Sequence, residues 1–126
     1  MKHVIIGTGP AGVLAAETLR KRMPGADIVM IGDEPEPPYS RMAIPYHLIG
    51  DIPEEGTHLR KTADHFEARN IELLQQRVTQ LAPERKSVTL DNGETLAFDR
   101  LLLATGSRPT RPPIDGMELP GVVSCW

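Results

Sequence analysis

Three glycines spaced as Gly7-x-Gly9-x-x-Gly12 stand directly after an apolar run, His3 to Ile6. Each glycine has a separate physical use. Gly7 permits a tight turn, and Gly9, lacking a Cβ, lets a diphosphate approach the backbone. Gly12 lets a following helix pack closely against a sheet. The first turn of that helix, with Pro10 and Ala11, points unpaired N–H groups and a partial positive charge at phosphate oxygens. Proline's missing N–H costs nothing there. Asp33 follows Gly12 by 21 residues and stands beside Glu34. A carboxylate at that distance can accept hydrogen bonds from two ribose hydroxyls.

The elements that must hold these groups are legible around them. His3 to Ile6 reads as a strand. The stretch to Met23 reads as a helix with Ala11, Ala15 and Leu19 on one face. Ile28 to Ile31 reads as a second strand that delivers the acidic pair. A lone GxGxxG is weak evidence, since glycine-rich turns are common. Strand, turn, helix, strand and acid in this order form the βαβ unit that binds a dinucleotide.

Beyond the acids, proline recurs too often between Glu34 and Pro45 for a regular helix. An extended loop is expected there, followed by a short helical turn over Tyr46 to Gly50. Leu59 to Arg69 reads as a helix burying Leu59, Ala63, Phe66 and the following Ile71, with Asn70 as its stop. Ile71 to Leu74 is expected as a strand. Gln76 to Leu81, Ser87 to Leu90 and Glu94 to Phe98 alternate in the rhythm of half-buried strands, and Asp91-Asn92-Gly93 is a hairpin turn. Together they predict a three-stranded antiparallel meander. Asp99 to Gly106 is nearly continuously apolar, which suits a fully buried central parallel strand. Its end, Ala104-Thr105-Gly106, then lies at the ligand-binding edge of the sheet. The predicted class is α/β, a Rossmann-type parallel sheet with an antiparallel β-meander.

The 126 residues correspond to one domain, and 14 basic against 17 acidic residues give a net charge of −3. That balance argues against a nucleic-acid surface. The single cysteine, Cys125, allows no internal disulfide and reads as a small buried hydrophobe. Apolar runs of about five residues exclude a transmembrane helix. Met1 leads straight into a strand, leaving no room for a signal peptide, so a cytoplasmic location is expected.

The N-terminal glycine motif, taken together with Thr95-Leu-Ala-Phe-Asp99-Arg-Leu-Leu-Leu-Ala104-Thr105-Gly106, resembles the flavoprotein pyridine nucleotide–disulfide oxidoreductase superfamily. The resemblance implies that the first motif binds the ADP half of FAD and that the second passes beside the flavin. Ile31-Gly32-Asp33-Glu34-Pro35-x-x-Pro38-Tyr39-x-Arg41 is similar to the ferredoxin-reductase and nitrite-reductase-like branch. By that likeness Asp33 or Glu34 holds the adenosine ribose, and Arg41 lies along the adenine and pyrophosphate. The backbone of Val78 meets the adenine edge, while Ala104, Thr105 and Gly106 line the ribityl and flavin side. The branch passes electrons from NAD(P)H through FAD to a redox partner protein or small acceptor. No residue here is required as an acid or base, so none is named catalytic.

The sequence also departs from the family pattern. Tyr46 stands where the branch usually carries a lysine near the flavin. Ile44 to Gly50 is similar to coenzyme A disulfide reductases, but Met42 occupies the region of their redox cysteine. Usual thiol–disulfide chemistry is therefore not available to this polypeptide. The second dinucleotide fold of the family, for NAD(P)H, is not found in these residues. Residues 1–110 read as the first FAD-binding segment and 111–126 as a connector toward an NAD(P)H-binding domain. The other readings are a stand-alone module that binds FAD or another dinucleotide without turnover, a coenzyme A disulfide reductase-like enzyme lacking the redox cysteine, and an NAD-dependent dehydrogenase, against which the Ala104-Thr105-Gly106 turn speaks. The acceptor and the oligomeric state stay open.

Several residues carry a bland alternative. Arg41 is a phosphate partner or an ordinary solvated charge; Arg108 and Arg111 read more readily as part of a solvated connector. Tyr46 stacks near the flavin or simply packs its loop, His3 reads as a structural residue, and Asp99 as one that fixes the loop before its strand. His47, His58 and His65 lack metal-ligand spacing.

Overall fold

The strongest apolar runs of the sequence form the middle of a parallel sheet. In a computed structural model, which describes residues 1–123, β1 (Lys2–Ile6) pairs with β2 (Asp27–Gly32), Val4 opposite Val29 and Ile5 opposite Met30. β3 (Ile71–Gln75) extends the sheet beyond β2, and β7 (Arg100–Leu103) pairs with β1 on the other side, giving the order β3-β2-β1-β7. Alternation along β1 and β2 feeds two cores. Ile5, Ile28 and Met30 pack with Val13 and Ala16 of α1 (Pro10–Arg22), along with Phe66 and Ile71. Val4, Val29 and Ile31 pack on the opposite face with Val88 and Leu90. A strand covered on both faces has no polar side, and for these two strands an unbroken apolar run is the result.

The second face is covered by the expected meander: β4 (Val78–Ala82), β5 (Ser87–Leu90) and β6 (Thr95–Ala97), antiparallel in that order. Its hairpin turns where Asn92 Oδ1 accepts from the Glu94 N–H at 2.9 Å and Gly93 adopts φ +87°. After β2 the chain loops to a 3₁₀ turn (Arg41–Ala43) and the five-residue α2 (Ile44–Leu48), past which Gly50 takes φ +84°.

Three expectations are corrected. The buried side of α1 is Gly12, Val13 and Ala16; Ala15 and Leu19 only flank it, and Ala11 is exposed. The close seat of Gly12 on the preceding turn sets the helix's rotation. Residues 59–62 are irregular, 63–66 form a turn, and only Glu67–Arg69 make a 3₁₀ turn, halted by Asn70 at φ +52°. Phe66 and Ile71 are buried and Leu59 half-buried, but Ala63 is exposed. The physical reason is Glu17 on α1. Its carboxylate takes both Arg60 (Nε at 2.7 Å, Nη2 at 2.6 Å) and His65 (Nε2 at 2.7 Å). On a helix, residues five apart point about 140° away from each other, so they could not share one carboxylate. Finally, β7 is an edge strand, paired among the described residues only with β1, and Leu102 and Leu103 are exposed. Only its Leu101 reaches a core. Cys125 lies outside the described residues.

Candidate functional site

The carboxyl ends of β1, β2 and β7 meet at one cleft, and glycine makes the meeting sterically feasible. Gly7, at φ +117°, donates its N–H to the Ile31 carbonyl at 2.7 Å. A Cβ there would lie 2.2 Å from the Ala104 carbonyl oxygen. Gly7 therefore joins the end of β1 to the turn leaving β7. A Cβ on Gly12 would lie 2.0 Å from the Gly7 carbonyl oxygen, so the helix sits directly on the turn's backbone. Gly9 differs from both. It is the extended N-cap of α1, and a Cβ there would meet nothing within 4 Å. The fold does not need its bareness, which is left for something that enters the cleft.

The cleft has a volume of about 670 Å³ and brings together Gly7, Gly9 and Pro10 from the first turn and Asp33 and Glu34 from the end of β2. Arg41 comes from the loop, Val78 from β4, and Ala104, Thr105 and Gly106 from the turn after β7. That size suits a cofactor. Two candidates do not line it: Gly12 is buried beneath the turn, and Ala11 faces outward. Thr8, Gln76 and Arg77 also line the cleft without any sequence signal, as do Gly32 and Tyr39, which belong to the Ile31 to Arg41 motif but carried no cofactor role. Gly32 stands just before the acidic pair, and a Cβ on it would lie 2.6 Å from Thr8 Oγ1. Arg108 enters the lining, whereas Arg111 turns away to Glu118 at 3.2 Å.

Charge in the cleft is organised in pairs. Asp33 faces Arg77 at 3.7 Å, and Glu34 accepts a hydrogen bond from Arg41 Nη2. The Glu34 carboxylate beside the Tyr39 hydroxyl, together with partial burial, raises the Tyr39 pKa. Tyr39 is placed by backbone bonds on either side: the Leu59 N–H reaches the Pro38 carbonyl and the Ser40 N–H reaches the Thr57 carbonyl, both at 2.9 Å. Met42 lines the wall as well.

The remaining candidates have structural surroundings. Asp99 Oδ2 accepts from the Lys2 N–H at 2.6 Å, which holds its carboxyl below the usual range and ties β7 to β1. His3 is buried, and its Nε2 has no hydrogen-bond partner among the described residues. His47 meets the Ile52 carbonyl at 3.2 Å and His65 meets Glu17. Tyr46 is exposed outside the cleft lining. Among the described residues no three His, Cys, Asp or Glu side chains could hold a metal ion.

A family profile described as pyridine nucleotide-disulphide oxidoreductase matches residues 1–124. The chain belongs to this family. It is 37% identical over 112 residues to the 3-phenylpropionate/cinnamic acid dioxygenase ferredoxin–NAD(+) reductase component of Photorhabdus laumondii, covering 88% of this chain and 28% of that protein. An NADH oxidase of Methanocaldococcus jannaschii is 38% identical over 128 residues, covering 97% and 29%. Among solved structures, the putidaredoxin reductase–putidaredoxin complex superposes with a TM-score of 0.81 at 38% identity, covering 91% of this chain and 28% of that one. A ferredoxin reductase from Rhodopseudomonas palustris gives 0.82 at 29% identity, covering 97% and 30%. The chain thus spans under a third of the length of these relatives. The family is FAD-binding, and the chain corresponds to its FAD-binding region. No helix among the described residues is long and apolar enough to cross a membrane.

Proposed function

We propose that this chain supplies the FAD-binding part of a cytoplasmic NAD(P)H-dependent oxidoreductase that passes electrons from nicotinamide through FAD to a redox acceptor. The observation that carries this reading is the shared cleft: the glycine turn at the head of α1 and the Ala104-Thr105-Gly106 corner line the same space. A diphosphate over Gly9 meets bare backbone and the start of α1. Asp33, whose nearest cation stands at 3.7 Å, is the acceptor for the ribose hydroxyls. The backbone of Val78 bounds the adenine, and Ala104 to Gly106 bound the ribityl and flavin side. Residues 1–110 form this segment, and 111–126 lead on toward an NAD(P)H-binding domain. When bound, FAD supplies the hydride and electron chemistry, while the chain positions it and sets its electrostatics.

A coenzyme A disulfide reductase-like reading is weaker, because Met42 lines the wall where that chemistry needs a thiolate, and a thioether cannot supply one. The test is flavin content and anaerobic bleaching by NADH or NADPH in the protein as naturally expressed. Bound FAD that either nicotinamide bleaches supports the reading. Protein that takes up no FAD on titration overturns it, and bound FAD that neither nicotinamide reduces leaves only a binding module.

A further inference from the structure

Two adjacent carboxylates end β2, yet the cleft treats them differently. Among the described residues Asp33 has only the loose 3.7 Å pair with Arg77, and both side chains are more than half exposed. Glu34 already accepts from the Arg41 guanidinium and stands beside the Tyr39 hydroxyl, and its side chain is 37% exposed. The loop carrying Tyr39 is itself pinned through Pro38 and Ser40 to residues 57–59. A carboxylate held by a guanidinium offers a ribose less than Asp33 does, and a long, half-exposed arginine gains from being held.

Resting on the flavin reading above, we infer that Glu34 is a positioning residue: keyed by the Tyr39 hydroxyl, it holds Arg41 against the cleft wall, ready for the cofactor's diphosphate. The ribose is left to Asp33. Arg41 in this arrangement arrives preorganised, so the ligand does not bear the cost of ordering its side chain. Tyr39 acts one step further out. Its hydroxyl fixes which way the Glu34 carboxylate faces.

Affinities for FAD, ADP and 2′-deoxy-ADP, measured by calorimetry on the protein as naturally expressed, test this. E34Q and Y39F should each weaken FAD and ADP about 3- to 10-fold, and R41A about 10-fold or more. In the R41A background, E34Q and Y39F should cost almost nothing further, since residues acting through one partner are not additive. Discrimination between ADP and 2′-deoxy-ADP should survive E34Q and Y39F but collapse in D33N. Additive losses in the R41A background, wild-type affinity in both single variants, or loss of 2′-hydroxyl discrimination in E34Q would each overturn the assignment. If wild-type protein binds neither FAD nor ADP, the flavin reading itself falls and this inference falls with it. If FAD binds tightly but the losses add, only the inference fails.

Discussion

At the scale of single residues, the three motif glycines separate into two kinds. Gly7 and Gly12 each stand where a Cβ would strike backbone, at 2.2 and 2.0 Å, while the space around Gly9 is open. Gly12→Ala should therefore destabilise the fold by about 3 kcal/mol or abolish it, as overpacking against immobile atoms does. Gly9→Val should melt within about 1 kcal/mol of wild type yet lose FAD affinity at least about tenfold. Thermal denaturation beside flavin titration checks both, and a Gly9→Val protein that keeps wild-type affinity would contradict the proposed diphosphate approach. The motif's spacing alone suggested three roles; only the surroundings show which glycine answers to the fold and which to a ligand. Arg77 and Gln76 gave no signal in the sequence because they reach the cleft from the two-residue link between β3 and β4. Arg108 and Arg111 look alike in a proline-rich stretch, and what separates them is that Glu118 engages one of them.

Between elements, two side chains tie α1 to the rest of the chain. Glu17 binds Arg60 and His65, and Arg20 donates to four carbonyls: Arg69 at 2.7 Å, Asn70 at 2.6 Å, Pro24 at 2.6 Å and Ala26 at 2.8 Å. Arg20→Ala should cost about 2 kcal/mol in denaturant unfolding, the scale of charge-assisted hydrogen bonds left unmade. Arg60, assisted by His65, lowers the Glu17 pKa from 4.5 to about 2, against the opposing effect of burial. With the folded value below the unfolded one, this stabilisation is full above about pH 4.5 and is lost as pH falls toward 2. Glu17→Gln should flatten stability against pH in that window by up to about 1.4 kcal/mol per pH unit. Denaturation at pH 7, 4 and 3 checks it, and an unchanged slope would show that other carboxylates carry the acid sensitivity. The same pairings explain why residues 59–69 misled a reading by periodicity. Leu59, Ala63 and Phe66 have the spacing of a buried helix face, but the polar contacts that hold Arg60 and His65 come from a partner more than forty residues away.

For the whole molecule, the parallel core and the meander were legible because β1 and β2 are apolar on both sides and the meander alternates. The place of β7 was not. Its composition says buried and central, while its position at the sheet edge leaves Leu103 59% exposed and Leu102 41% exposed. Amides of β1 and β2 in residues 1–126 should accordingly exchange last in hydrogen–deuterium exchange, and those of β7 clearly earlier. Equal protection across β7 and β1 would mean that the free edge is covered in solution, and sedimentation would show whether a second copy covers it.

The seat of Gly12 on a carbonyl oxygen rather than on a side chain has an evolutionary consequence. Where a bulky neighbour causes a clash, a smaller residue at the neighbouring site can relieve it. A peptide oxygen cannot be trimmed by any codon change. In a selection for suppressors of Gly12→Ala, restored function should return through reversion at that codon and not through compensating substitutions in the first strand or the turn.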